Sequence, residues 1–278
     1  MKLYLLFLSG LLFANFSAAT SLQSSIERMD ADMTTNQPLV AHVIVALCDN
    51  EFQGIVPVPK AIGNGDDPHN NLYWGAGYGV KTFFRRSPHW KTISLPVSDN
   101  KNILDQALFK RDIHRNGKTF TAYVFAEAWR GREIAAATTQ FLQMAQGNHQ
   151  QTVKIDHTEI AVGRDAHVIA YVGHNGLMDF YPPDIQKNTD DTLARSAIIL
   201  ACKSDEYFKH LISSPTSSLL TTRSFMAPEA YSLEAAISSW FENSDKEKVA
   251  TDAAKAYAKY QKISEKSART VFVFPAAK

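Results

Sequence analysis

Two apolar stretches of this sequence end in residues that together could perform nucleophilic chemistry. Residues 166–172 (AHVIAYV) run into Gly173 and His174, and residues 196–201 (SAIILA) run into Cys202. The carboxyl ends of parallel strands lie at one edge of a sheet, so parallel pairing of the two stretches would bring the imidazole and the thiol together. An imidazole beside a thiol lowers the pKa of the thiol and can supply a proton to a leaving amine. The pattern therefore predicts a His–Cys dyad.

Both residues also have structural interpretations, which the sequence leaves open. His174 precedes an Asn-Gly pair, and this is ordinary turn composition at the end of a strand. Cys202 could be a small buried apolar residue, or one half of a disulfide with Cys48, which also ends an apolar run.

Strand patterns alternate with helical patterns around these stretches. An almost unbroken β-branched run at residues 41–47 predicts a strand buried on both faces. Further strand patterns cover residues 90–97, 107–113, 120–129, 153–160, 219–222 and 269–274. Helical patterns cover residues 72–86, 134–145, 233–241 and 249–263. The 28 positions from His174 to Cys202 leave room for one crossover helix. The alternation predicts a single α/β domain, with a central mostly parallel sheet and helices on both faces.

The two chemistry-bearing stretches resemble those of a known enzyme family. VIAYVGHNG and SAIILACKS are similar to the strand ending in His-Gly and the strand ending in Ala-Cys of the caspase, legumain and gingipain superfamily of cysteine peptidases. The resemblance covers about residues 166–204. It implies a caspase-like domain over residues 38–278 that hydrolyses peptide bonds in peptide or protein substrates. Cys202 would be the nucleophile and His174 the catalytic acid or base.

The resemblance also implies an oxyanion hole. The backbone amides of Gly176 and Cys202 would stabilise the negative charge of a tetrahedral intermediate. Asn175 is a departure from the family, which usually has Gly directly after His.

Polar residues end the first predicted strand as well. By the same resemblance, Asp49 and Asn50 would orient His174 or line the substrate pocket, where an acidic lining would favour Lys or Arg in the substrate. Their alternative role is to cap the strand end. The family's sheet order places the His strand between the first strand and the Cys strand. Two strand spacings amount to about 9–10 Å, so this order conflicts with a Cys48–Cys202 disulfide.

The amino terminus has the composition of a secretory signal. Lys2 precedes an apolar run over residues 3–13, and small residues at Ser17 and Ala19 fit a cleavage site. This pattern predicts a signal peptide over residues 1–19 and export to the periplasm or the medium. The polar residues 20–37 would then form a flexible lead-in to the domain.

Composition and charge exclude several classes of function. The 29 basic and 28 acidic residues leave a formal charge of +1, which does not attract nucleic acid. No second long apolar segment is present, so no membrane association is expected after signal removal. Nine His occur without a metal-binding spacing, and we expect neither a metal nor a cofactor. The alternatives to a peptidase are an exported non-catalytic α/β binding or structural protein, or another hydrolase that uses the loop over residues 49–70.

Overall fold

Strands and helices alternate through the part of the chain that the computed structural model describes, residues 21–115 and 117–275. The strands are β1 (Leu39–Ala46), β2 (Lys91–Ile93), β3 (Ile103–Arg115), β4 (Lys118–Trp129), β5 (Gln150–Ile155), β6 (Thr158–Gly163), β7 (Val168–Val172), β8 (Arg195–Leu200) and β9 (Thr216–Leu220). The helices are α1 (21–34), α2 (Val80–Arg86), α3 (Ile134–Ala145), α4 (Ser204–Phe208), α5 (Ala230–Asn243), α6 (Lys246–Gln261) and α7 (Glu265–Arg269). The predicted signal peptide lies outside the described residues.

Seven of the strands form one sheet in the order β2-β3-β4-β1-β7-β8-β9. β1 pairs in parallel with β4 and β7, and the parallel pairing continues through β8 to β9. β3 and β2 are antiparallel at the other edge. Every residue of β1 is buried, as its β-branched run predicts for a central strand covered on both faces. The predicted α/β class with a mostly parallel central sheet is confirmed.

Alternate side chains of the parallel strands pack into two separate hydrophobic cores, one on each face of the sheet. Val43, Val45 and their neighbours pack beneath α1, α2, α5 and α6 on one face. Ile44, Tyr171 and their neighbours pack beneath α3 and the separate β5–β6 hairpin on the other face. The result is three layers, with the carboxyl ends of β7 and β8 at the edge of the sheet where His174 and Cys202 are expected.

The link from β7 to β8 differs from the prediction. The described residues between these strands contain a single 3₁₀ turn, Gly176–Met178, in place of a crossover helix. Pro182 and Pro183 begin four residues after this turn and cannot donate the backbone hydrogen bonds of a helix interior. The segment over residues 269–274 also differs from the prediction: α7 ends there, and one isolated bridge joins Thr222 to Phe272.

The structure corrects the flexible lead-in expected over residues 20–37. Residues 21–34 form α1, whose apolar side chains recur at helical spacing: Leu22, Ile26, Met29 and Met33. Met29 and Met33 are buried in the core, and Leu22 and Ile26 pack against it. The apolar stripe is narrow, and the segment is otherwise polar. The helix is therefore stabilised by tertiary packing more than by its own composition.

Polar contacts also fasten α1 to the amino end of the central strands. The Arg28 guanidinium donates to the carbonyls of Asp165, Ala166 and Ala194 at 2.5–3.3 Å. His167 is buried, accepts the Val40 N–H at Nδ1 (3.1 Å) and places Nε2 2.9 Å from a carboxylate oxygen of Asp32. This arrangement requires a neutral imidazole that carries its proton on Nε2.

The buried His167 makes stability sensitive to acid. Burial lowers the pKa of the His167 imidazole to about 4, from its ordinary value of 6.5. The unfolded chain therefore binds a proton that the folded chain excludes. The stabilisation is complete above about pH 6.5 and falls by about 3 kcal/mol as the pH approaches 4. Urea unfolding between pH 7 and pH 4 measures this loss.

His167→Gln removes the titrating imidazole, and we expect it to flatten the pH dependence of the unfolding free energy. His157 is exposed, so His157→Gln is the matched control and retains the full slope. An unchanged slope in His167→Gln would assign the acid sensitivity to other groups.

Candidate active site

β7 and β8 end at the same level of the sheet. Val172 pairs with Leu200, and His174 and Cys202 each follow two positions later. The last bond of the ladder runs from the Gly173 N–H to the Leu200 carbonyl, at 3.3 Å. Gly173 has φ of 148°, and a Cβ there would lie 2.7 Å from the Ala46 carbonyl oxygen. Only glycine allows this turn to pass so close to β1, and the turn carries His174 over the sheet edge.

The His174 ring is buried, and a carboxylate orients it. Nε2 lies 2.7 Å from an Asp179 carboxylate oxygen, and that oxygen also accepts the Gly54 N–H at 3.0 Å. The proton on Nε2 is therefore donated to Asp179. Nδ1 has no hydrogen-bond partner among the described residues, so this nitrogen is the one able to accept or deliver a proton.

Asp179 is the functional residue that the sequence analysis missed. Asp179 follows the 3₁₀ turn Gly176–Met178. The turn reverses the chain, so that the Asp179 carboxylate contacts the imidazole of His174, five positions earlier. A carboxylate within one short turn after a strand-end His is the signal that could have revealed it. The Asp179 side chain is 31% exposed, so this hydrogen bond lies at the rim of the site.

Cys202 lies at a sharp turn between β8 and α4. Lys203, the next residue, has a left-handed backbone with φ of 50°, which is uncommon for a residue with a side chain. Cys202 is partly exposed, and its Sγ lies between the Met226 N–H (3.4 Å) and the Met226 carbonyl oxygen (3.6 Å). The thiol can donate to this carbonyl, and a thiolate would accept from this amide.

Cys48 is in a different environment from Cys202. Both thiols are free, and β7 separates the strand that precedes Cys48 from the strand that precedes Cys202. Cys48 is fully buried. Burial raises the pKa of the Cys48 thiol to about 11, although the Tyr73 hydroxyl hydrogen-bonds to it and opposes this effect. Cys48 is therefore a core residue that stays protonated at neutral pH.

Two backbone amides near His174 and Cys202 have no hydrogen-bond partner in the part of the chain that the structure describes. The next ladder bond beyond Gly173 would run from the Cys202 N–H to the Gly173 carbonyl, and it is not formed. Among the described residues, neither this N–H nor the Gly176 N–H donates to another protein group. These are the two amides that the family resemblance implies as oxyanion donors.

Asn175 connects the two strand ends. Its side chain is completely buried, and Nδ2 donates to the Cys202 carbonyl at 2.7 Å. Its Oδ1 accepts the Leu177 N–H at 3.1 Å. The residue that departs from the family pattern therefore hydrogen-bonds to the backbone at Cys202.

Comparison with known proteins found no match among family models and no significant match among curated proteins or solved structures.

None of the described helices is long and apolar enough to cross a membrane.

Asp49 and Asn50 hold the loop that follows β1. The Asp49 carboxylate is buried and accepts the N–H groups of Glu51 and Phe52 at 2.9 and 3.3 Å. The Asn50 amide exchanges two hydrogen bonds with the Val58 backbone, at 2.8 and 3.0 Å. These contacts correspond to the strand-end capping role. The carboxylate that hydrogen-bonds to the His174 ring belongs to Asp179 and not to Asp49. The loop after β1 contacts the Asp179 carboxylate through the Gly54 N–H.

Proposed function

We propose that this chain is an exported cysteine endopeptidase of the caspase-like type. Cys202 is the nucleophile, His174 the general acid and base, and Asp179 the residue that positions the imidazole. The proposal needs no metal or cofactor, because the thiol and imidazole supply both the nucleophile and the proton transfer.

The observation that carries the proposal is the equal register of the dyad. β7 and β8 are adjacent and parallel, and the imidazole of His174 and the partly exposed thiol of Cys202 follow their carboxyl ends at the same level. Neighbouring strands lie about 4.8 Å apart, so the two side chains leave the sheet within reach of one substrate group. The sheet order supports the proposal as well, since the His strand lies between the first strand and the Cys strand.

The acylation step follows from the placement of the groups. His174 accepts the Cys202 thiol proton at Nδ1, which forms a thiolate and an imidazolium. The thiolate sulfur attacks the carbonyl carbon of the scissile peptide bond, and the carbonyl oxygen becomes an oxyanion facing the Gly176 and Cys202 amides. The tetrahedral intermediate collapses, and His174 delivers its Nδ1 proton to the leaving nitrogen as the C–N bond breaks. The products are a thioester on Cys202 and a free amine.

Hydrolysis of the thioester restores the enzyme. A water molecule attacks the thioester carbon while His174 accepts its proton at Nδ1. The C–S bond breaks, the carboxylic acid leaves, and the thiolate and imidazolium are regenerated. Asp179 holds the Nε2 proton throughout and stabilises the positive charge on the ring.

A library of internally quenched peptides tests the proposal with the chain that begins at Thr20. We expect time-dependent cleavage that stops after alkylation of Cys202. A protein that cleaves nothing and whose Cys202 alkylates no faster than Cys48 would instead be the non-catalytic α/β protein.

We expect Asp179→Asn to lower kcat/KM by roughly 100-fold, because an amide stabilises the wrong tautomer of the imidazole and no longer stabilises its charge. Steady-state kinetics on a cleaved peptide measure the loss. Asp184→Asn is the control, since Asp184 also accepts a side-chain hydrogen bond, from Gln186 at 2.7 Å, but has no contact with His174. Equal activities of the two variants would remove Asp179 from the mechanism.

A further inference from the structure

We infer that Asn175 is a positioning residue. It holds the turn at Cys202 and the turn over residues 174–179, which carries His174, in a single arrangement. The catalytic consequence of this inference rests on the proposed hydrolysis, and its effect on the Cys202 thiol does not.

The two hydrogen bonds of Asn175 join segments that are distant in sequence. Oδ1 closes the turn that carries His174 and Asp179, by accepting the Leu177 N–H. Nδ2 reaches across to the Cys202 carbonyl, 27 positions later. Among the described residues no other group donates to that carbonyl. This side chain therefore connects the two segments beyond the last bond of the β7–β8 ladder.

The chemistry requires an amide at this position. A carboxamide offers a donor and an acceptor from one rigid group, and both are used here. A glycine would provide neither bond, so the usual family residue could not make this connection. The bond also fixes the orientation of the Cys202 carbonyl, next to the left-handed Lys203. The thiol and its own N–H, the proposed oxyanion donor, belong to the same constrained turn.

Burial makes the connection independent of solvent. Asn175 has no exposed surface, so water does not replace a lost bond without rearrangement of the turn. Loss of the Nδ2 bond should let the Cys202 turn shift relative to His174. A displacement on the scale of 1 Å is enough to reduce catalysis about 100-fold.

Two substitutions distinguish the loss of the Asn175–Cys202 hydrogen bond from the loss of the turn that Asn175 closes with Leu177. Asn175→Asp keeps the acceptor for Leu177 and loses the donor to Cys202, and Asn175→Ala loses both. Because the aspartate adds a negative charge near the thiol, the uncharged alanine variant must change in the same direction. Asn188→Asp is the matched control: the Asn188 amide donates to the Gly147 carbonyl at 2.9 Å and accepts the Asp190 N–H at 3.1 Å, at the opposite edge of the sheet.

The measurements are the pH profile of iodoacetamide alkylation of Cys202, in a Cys48→Ala background, and kcat and KM on a cleaved peptide. We expect both Asn175 variants to alkylate about 10-fold more slowly at pH 7 and to lose about 100-fold in kcat with KM within about twofold. Asn188→Asp should match the parent in both assays.

Asn175 variants that alkylate at the parental rate per folded molecule, with only a lower melting temperature, would reduce Asn175 to a structural role and overturn the inference. A parent that cleaves no peptide, combined with slowed alkylation in both Asn175 variants, would overturn the proposed function and support the positioning role of Asn175.

Discussion

Cys202→Ala is expected to abolish peptide hydrolysis, with a loss of at least about 10⁴-fold in kcat/KM, while the melting temperature stays nearly unchanged. The variant removes the atom that forms the thioester, and no other group near His174 can replace it. The stability should persist because Cys202 is partly exposed and, among the described residues, its sulfur hydrogen-bonds only to the Met226 backbone. Cleavage of a quenched peptide and a thermal melt measure the two effects.

Cys48→Ala provides the opposite pattern and is the control for Cys202→Ala. Cys48 lies in the core with no exposed surface, so its truncation should cost about 1 kcal/mol of unfolding free energy. Activity per folded molecule should be retained. If Cys202→Ala unfolds early and its folded fraction still cleaves peptide, Cys202 is a packing residue and the dyad assignment fails.

Asp191→Asn should lower the free energy of unfolding by about 3–5 kcal/mol, because it leaves the Arg195 cation buried without its counter-charge. Arg195 begins β8 with no exposed surface, and its guanidinium lies 2.5 Å from an Asp191 carboxylate oxygen. Its remaining bonds go to the Arg164 carbonyl and the Thr216 hydroxyl, which carry no charge. Urea unfolding at pH 7 measures the loss.

The control for Asp191→Asn is a surface ion pair of the same sequence spacing. Lys248 and Asp252 are also four positions apart, at 2.8 Å, and their side chains are 46% and 26% exposed. Asp252→Asn should change stability by no more than about 0.5 kcal/mol, because water already solvates both charges. Similar losses in the two variants would mean that burial of the Arg195 pair carries no special penalty.

The fold class could be predicted from the sequence because the central strands have no other stable arrangement. The runs in β1, β7 and β8 are apolar at nearly every position and too short for the helices of a layered domain. Such runs are buried on both faces, which requires a parallel sheet between two layers. α3 was also predicted, with an apolar face over residues 134–145 and an end near Gly147, because its apolar residues recur at helical spacing. Local periodicity was sufficient in these elements.

α1 was not predicted, although its apolar residues recur at helical spacing, because the segment is otherwise polar and its stability comes from contacts made after folding. Arg28 bonds to carbonyls up to 166 positions away, and Asp32 pairs with His167, 135 positions away. Composition alone therefore made the segment resemble a flexible lead-in. The crossover after β7 was mispredicted for a related reason, since its length permitted a helix and its packing did not require one.

The sequence by itself determined which reactive residues end the strands: His174, Cys202 and Cys48 each follow an apolar run. Tertiary structure decided how these groups are used. The strand order placed β7 between the two cysteines, buried Cys48 and left Cys202 partly exposed. It also brought the Gly54 amide to Asp179 across 125 positions and the Asn175 amide to the Cys202 carbonyl. Hydrogen bonds of this kind depend on distances between loops, and those distances exist only after the sheet and its two cores have formed.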